Sequence, residues 1–126
     1  MPLSHAVAWI AHLDAHVIQF EAQQSVDQRV KQQVHFTRQH GTQLRGQHEF
    51  FGEVCEALAG IRSVLVVGSH EPQSAFRQYV SKHRPALALH IVGWKTIDHP
   101  TEPEVLRLAR EYFVHQGEMV ATPRVP

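Results

Sequence analysis

The segment between residues 35 and 51, HFTRQHGTQLRGQHEFF, concentrates side chains that can bind metal ions or phosphates. It holds three histidines, three glutamines, two arginines and two glycines. Imidazole nitrogens bind divalent metals, arginine contacts phosphate oxygens, and glycine lets a backbone approach a ligand closely. The composition leaves three interpretations open: a metal site, an RNA-contacting loop, or a solvated connection.

Residues 37 to 47 form the part of this segment that could contact RNA. The candidate RNA-binding residues are Arg38, His40, Gly41, Arg45, Gly46 and Gln47. Because glycine and glutamine without apolar anchors do not pack into a core, the same residues also fit a surface loop that has no ligand. Both interpretations remain open from the sequence.

Histidine is unusually frequent, at eleven of 126 residues. His12 and His16 flank a polar break with Asp14 between them, so these three residues are candidate metal ligands. No HExxH or Cys-x-x-Cys spacing accompanies them, so we expect neither a dedicated catalytic metal nor another cofactor. Histidines scattered over the surface without a ligand are one alternative, and histidines that act as a pH switch are another.

The segment VVGSHEP combines a strand, a glycine turn and a helix start. A helix N-terminus can bind an anion, which makes Gly68, Ser69 and His70 a second candidate site. The segment lacks the Walker lysine and the GxGxxG spacing, so an ordinary turn between strand and helix is the alternative.

The elements that position these residues begin with strands. Two apolar runs in HAVAWIAHLDAHVIQF predict a two-stranded hairpin, and the alternation in SVDQRVKQQVHF predicts a third antiparallel strand. Val26, Val30 and Val34 also fit the i, i+4 spacing of a helix. The strand is the preferred interpretation.

Helices and strands are then predicted to alternate. Apolar residues from Phe50 to Leu58 predict a helix from about Gln47 to Ala59, and SVLVVG predicts a central strand buried on both faces. A second helix follows Pro72, HIVGWKTI predicts another strand, and a Thr-x-x-Glu capping box at Thr101 begins a third helix.

The predicted order is β-β-β-α-β-α-β-α, an α/β mixed sheet with helices packed on it, because parallel neighbours need long connections. A length of 126 residues with 43% hydrophobic side chains predicts one domain over residues 1–116. Residues 117–126, with two prolines, are expected to form a loose tail.

Twelve basic residues balance twelve acidic ones, so any RNA binding must be local and DNA is not an expected partner. One cysteine excludes an internal disulfide and fits a reducing compartment. The sequence shows no signal peptide and no apolar run near the roughly 20 residues that span a bilayer. We expect a cytoplasmic protein without membrane association.

Three segments together carry a family resemblance: HAVAWIAHLDAHVIQF, FFGEVCEALAGIRSVLVVGS and IVGWKTIDHPTEPEVLRLAREYF. The chain resembles a bacterial family of translational machinery proteins, related to the middle domain of archaeal and eukaryotic release factors and of Pelota. The resemblance implies a ribonuclease-H-like fold, with the ribosome or structured RNA as partner.

The resemblance also offers an interpretation of Gln47. Release factors carry a Gly-Gly-Gln tip just before a helix, and Gln47 follows Arg45 and Gly46 at a similar place. Arg45 stands where the motif has its first glycine, which removes backbone freedom there. The resemblance therefore implies RNA or ribosome binding rather than peptide release.

The sequence does not contain the residue patterns that the familiar catalytic mechanisms require. Ribonuclease-H chemistry places about four carboxylates around two metal ions, whereas Asp98 and Glu53 stand apart in the sequence. Ser69 lacks the GxSxG context, and Cys55 lies on the apolar stripe of a helix, where a thiol is inert. We expect a non-enzymatic domain, with a metal-dependent hydrolase as a weaker alternative.

The principal alternative to RNA binding is association with a protein. A long third strand would leave a sheet edge exposed, and an exposed edge can pair with a partner or with a second copy as a homodimer.

Overall fold

The computed structural model describes residues 4–21, 24–31 and 42–117, without the side chains of 42–45. The predicted RNA contacts Arg38, His40 and Gly41 lie outside the described residues, as do residues 118–126 of the predicted tail. The elements are β1 His5–Ile10, β2 Asp14–Phe20, β3 Ser25–Lys31, α1 Thr42–Ala57, β4 Ser63–Gly68, α2 His70–His83, α3 Pro85–Ala88, β5 Ile91–Thr96 and α4 Glu102–His115.

The five strands form one mixed sheet in the order β3-β2-β1-β4-β5. β1 pairs antiparallel with β2, and β2 pairs antiparallel with β3, which makes a meander. β4 lies parallel to both β1 and β5. Parallel neighbours cannot be joined by a tight turn, so helices occupy the connections into β4 and β5. The expected mixed α/β sheet with packed helices is confirmed.

Side chains alternate between two cores, one on each face of the sheet. Ala6, Ala8 and Ile10 of β1 face the core that α1 and α2 cover, and Val7 faces the core that α4 covers. β4 is likewise buried along its whole length. Burial on both faces explains why these strands are continuous apolar runs. β1 is the middle strand of the five, and β4 is its neighbour.

Helix α1 begins earlier than the periodicity predicts. It starts at Thr42 rather than near Gln47, and it ends at Ala57. The apolar stripe marks only where the helix meets the core, and the turn before it, in which Leu44 is the single apolar residue, gives too weak a pattern to predict a helix. Arg45, Gly46 and Gln47 therefore lie in a helix rather than in a loop.

The other helix ends follow local sequence. Thr101 caps α4, with its Oγ1 atom accepting a hydrogen bond of 3.4 Å from the Glu104 amide. Pro85 occupies the first turn of α3, a four-residue helix that the apolar pattern did not indicate. Its brevity explains the omission, since one turn shows no periodicity.

Gly68 is required where β4 ends beside β1. Its φ is +149°, and a Cβ atom there would lie 2.3 Å from the main-chain oxygen of Ile10. Only glycine accommodates both the backbone conformation and the close approach. Within the described parts of the chain, no helix is long and apolar enough to cross a membrane.

Candidate functional site

An aromatic and histidine cluster lies on the surface between α1 and α2. The ring centroid of His48 is 5.5 Å from that of Tyr79 and 5.3 Å from that of His83, and Tyr79 and His83 are 4.8 Å apart. We call His48, Tyr79 and His83 the ring cluster. Tyr79 also contacts Phe51 of the core at 5.5 Å, so the ring cluster rests on a buried aromatic base.

Exposed cations lie along α2 and at its C-cap. Arg77, Lys82 and Arg84 are exposed, and between His70 and Arg84 the only acidic residue is Glu71. Lys82 lies three residues after Tyr79, so the two share one side of the helix surface. The guanidinium of Arg77 stacks on Trp94 of β5 at 5.2 Å. A protein with no net charge thus has a locally positive helix.

The described part of the predicted RNA segment leads into this surface. Arg45, Gly46 and Gln47 directly precede His48 on α1. Gly46 is buried and Gln47 is half-buried. Gly46 therefore does not offer its backbone to a ligand as a loop glycine would, because a buried helical residue is already packed.

A second polar cluster joins β2, β3 and α4. His16, Asp27 and Glu102 place one ligand atom each within 4.8 Å of one another. The Nδ1 atom of His16 lies 3.1 Å from Asp27 Oδ2. A hydrogen bond to Asp27, together with its like charge, raises the pKa of the Glu102 carboxyl.

The three metal ligands expected from the sequence, His12, Asp14 and His16, do not converge on one point. Asp14 binds Arg29 with a 2.8 Å contact to the guanidinium, His16 contacts Asp27, and His12 is exposed in the turn between β1 and β2. In the described ranges, His16 is the only one of these three predicted ligands in a cluster suited to a metal ion. Asp27 and Glu102 had no signal in the sequence, because cross-strand and helix contacts join residues far apart in the chain.

The predicted anion site at Gly68, Ser69 and His70 is a turn between strand and helix. Ser69 is the N-cap of α2, but its side chain forms no capping hydrogen bond. The oxygen of Gly68 accepts hydrogen bonds from the Ile97 amide and the Gln73 side chain. The geometry is that of a helix start held by its neighbours.

The candidate nucleophiles and acids are dispersed. Cys55 is 4% exposed, and burial raises the pKa of its thiol to about 11. Cys55 lines a cleft of about 410 Å³ beside α3 with His83, Arg84 and His90. Glu53 is exposed on α1, and Asp98 is exposed after β5. Together, these positions do not assemble the carboxylate group that two-metal chemistry needs.

Solved structures share this fold. Pelota from Archaeoglobus fulgidus aligns with a TM-score of 0.62 at 14% identity, over 89% of this chain and 32% of its own. Pelota from Thermoplasma acidophilum aligns with a TM-score of 0.56 at 11% identity, over 93% of this chain and 33% of its own. An archaeal translation termination factor aligns with a TM-score of 0.56 at 10% identity, over 90% and 41%.

These alignments define a class of fold. At such low identity the likeness is one of architecture: an α/β domain similar to parts of Pelota and of an archaeal termination factor. The chain spans about a third of the length of the two Pelota proteins. No family model matches the sequence, and no curated protein matches it.

Proposed function

We propose that the chain is a non-enzymatic, translation-associated domain that binds the ribosome or structured RNA. The observation that carries this proposal is the fold likeness to Pelota and to an archaeal translation termination factor over about nine-tenths of the chain. A cytoplasmic location follows from that role.

The proposal also includes a fold class and a family for the chain. The order β3-β2-β1-β4-β5, with helices on both faces, supports a ribonuclease-H-like fold in one domain over residues 1–116. With the three quoted segments, it also supports membership in the bacterial family of translational machinery proteins.

The ring cluster and the cations of α2 supply the chemistry for RNA. Aromatic and imidazole rings at a surface stack on unpaired bases, and such contacts contribute about 1–3 kcal/mol per base. Arg77, Lys82 and Arg84, exposed along α2 and at its C-cap, can contact phosphates of the same RNA. Of the candidate residues from the sequence, Arg38, His40, Gly41, Arg45 and Gln47 would add RNA contacts to this surface, whereas Gly46 is buried in α1.

Sedimentation of a cell extract through a sucrose gradient tests the proposal. The protein should migrate with ribosomal particles and move to the top of the gradient after RNase treatment. The Arg77→Gln, Lys82→Gln double variant should co-sediment less, because two phosphate contacts are lost. Arg107→Gln is the matched control, since Arg107 is exposed on α4, across the sheet. Free migration of the parent protein contradicts the proposal.

The position of β3 favours one alternative function. β3 is an edge strand of seven residues, of which only Val30 is buried. An exposed edge can pair with another strand, so this face supports a protein-interaction module or a homodimer. A dimer that persists after RNase treatment, measured by light scattering, supports this alternative. A monomer excludes the homodimer.

A further inference from the structure

The cluster of His16, Asp27 and Glu102 lies across the sheet from the ring cluster and plays no part in the proposed RNA contact. His16 belongs to β2, Asp27 to β3, and Glu102 is the first residue of α4. Their ligand atoms all lie within 4.8 Å of one another. Three separate elements thus direct an imidazole and two carboxylates to one point, and we propose that this point binds a divalent transition-metal ion, zinc above all.

The separation of His16 and Asp27 fits two ligands of one ion. The Nδ1 atom of His16 is 3.2 Å from Asp27 Oδ1 and 3.1 Å from Oδ2. Zinc binds nitrogen and oxygen at about 2.0–2.2 Å, so two ligands of a tetrahedral ion lie roughly 3.3–3.6 Å apart. A shift of a few tenths of an ångström therefore admits the ion between these atoms. Glu102 reaches it by rotating an exposed side chain.

Packing orients the imidazole in advance. Trp9 is the register partner of His16 on β1, and the two rings stack with centroids 5.1 Å apart at an interplanar angle of 25°. Stacking restrains the plane of the imidazole, and the 3.1 Å contact with Asp27 Oδ2 directs Nδ1 toward that carboxylate. A ligand held by its surroundings loses less conformational entropy when it binds a metal.

The local charges favour a divalent cation. Asp27 and Glu102 bring two carboxylates to the same point beside His16. Arg29, on the same strand as Asp27, directs its guanidinium to Asp14 at 2.8 Å. A divalent ion between the two carboxylates would offset both negative charges.

The donor set determines the class of metal. One imidazole and two carboxylates suit borderline ions such as Zn²⁺ better than Ca²⁺ or Mg²⁺, which prefer oxygen alone. Three protein ligands leave the remaining positions to water.

Calorimetric titration of the tag-free, chelator-treated protein with Zn²⁺ at pH 7.5 tests the site. One equivalent should bind more tightly than the background of the other histidines. His16→Phe keeps a ring over Trp9 but removes the ligand, and Glu102→Gln keeps the side-chain size. Replacing a residue that only hydrogen-bonds to a metal ligand typically weakens metal affinity by about 10–100-fold. Loss of a ligand itself should therefore weaken Zn²⁺ binding at least about tenfold. His12→Phe, in the same hairpin, is the control and should bind as the parent does.

Each result of the zinc titration either supports or overturns the site. Absence of a distinct equivalent in the parent protein overturns the site, as does unchanged affinity in Glu102→Gln. Because Glu102 is exposed, that variant tests the site even if His16→Phe folds poorly. Zinc binding lost in both variants but retained in His12→Phe supports the site, whatever the result with ribosomes.

Discussion

The side-chain amide of Gln73 donates a 2.7 Å hydrogen bond to the main-chain oxygen of Lys95. The same nitrogen donates to the oxygen of Gly68 at 3.2 Å. Gln73 is 8% exposed on α2, so one buried amide joins that helix to β4 and β5. The contact fixes the edge strand β5 to the rest of the sheet.

Gln73→Ala should therefore destabilise the protein by about 1–3 kcal/mol, because the Lys95 oxygen loses the amide donor, whereas the Gly68 oxygen keeps the Ile97 amide. Gln78→Ala on the exposed face of α2 should change stability by less than about 0.5 kcal/mol. Urea unfolding of both variants measures the difference. Equal stability of the two variants would show that water replaces the amide without cost.

Gln73 also shows what the sequence could and could not predict about the fold. Strands β1 and β4 were predictable as continuous apolar runs because both of their faces are buried, and the helices were predictable because one buried face gives a periodic apolar stripe. A single buried glutamine does not stand out in such a pattern, because a glutamine at the same position would fit an exposed helix face equally well. The contact with Lys95 depends on tertiary packing, which periodicity does not encode.

Gly68→Ala should be severely destabilising, by about 3 kcal/mol or more. The added Cβ would lie 2.3 Å from the Ile10 oxygen, and that atom belongs to a paired strand that cannot move away cheaply. Gly117→Ala is the matched control, because Gly117 also has a positive φ, of +75°, but an added Cβ there would meet no atom within 4 Å. It should lose only about 1–2 kcal/mol from backbone strain. Similar losses in thermal unfolding of the two variants would contradict a role for the clash.

The contact between Asp27 and Glu102 predicts a pH-dependent gain of stability in Glu102→Gln. The hydrogen bond and charge of Asp27 raise the pKa of Glu102, so ionisation of Glu102 costs stability as pH rises through that pKa. The amide of glutamine can still donate to Asp27 but carries no charge. In metal-free buffer the variant should match the parent below about pH 4 and exceed it at pH 7, by no more than about 0.5 kcal/mol because the site is exposed.

Glu104→Gln separates this repulsion from the helix dipole. Both glutamates lie in the first turn of α4, where a negative charge stabilises the helix. Glu104→Gln removes a charge from the same turn but keeps the contact between Glu102 and Asp27, so it should show no gain of stability at pH 7. Parallel stability curves from pH 4 to 7 would exclude repulsion between Asp27 and Glu102.

The candidate sites were predictable only where their residues are neighbours in the chain. His16 was selected from the sequence because it lies beside Asp14 and His12, yet its contacts are Asp27 and Trp9 on adjacent strands. Pairing register decides such contacts, and the sequence of one strand does not state its register. Tyr79 and His83 did carry a signal, since residues four apart share a helix face.

Cys55 should resist thiol reagents at pH 8 in the folded protein. Burial raises the pKa of the thiol to about 11, so roughly one molecule in a thousand carries the reactive thiolate at that pH. Because the folded pKa exceeds the ordinary value of about 8.5, this thiol should also lower stability as pH rises from about 8.5 to 11. Colorimetric thiol titration should be slow until denaturant is added, and Cys55→Ala should remove the alkaline loss. Rapid labelling of the native protein would show that the cleft beside α3 opens.

The salt dependence of RNA binding tests whether the segment 38–47, which ends inside α1, belongs to the same surface as the ring cluster. Each lost phosphate contact reduces the slope of log affinity against log salt by about 0.7–0.9. Arg38→Ala with Arg45→Ala should therefore reduce the slope by roughly 1.5 if both residues contact phosphate, while thermal stability stays within about 0.5 kcal/mol. Gln47→Ala is the control for chemistry, because it should leave the slope unchanged.

If the slope changes only when Arg77 and Lys82 are replaced, RNA contacts α2 alone and the segment is a connection. If neither pair alters the slope, the RNA surface lies elsewhere on the domain.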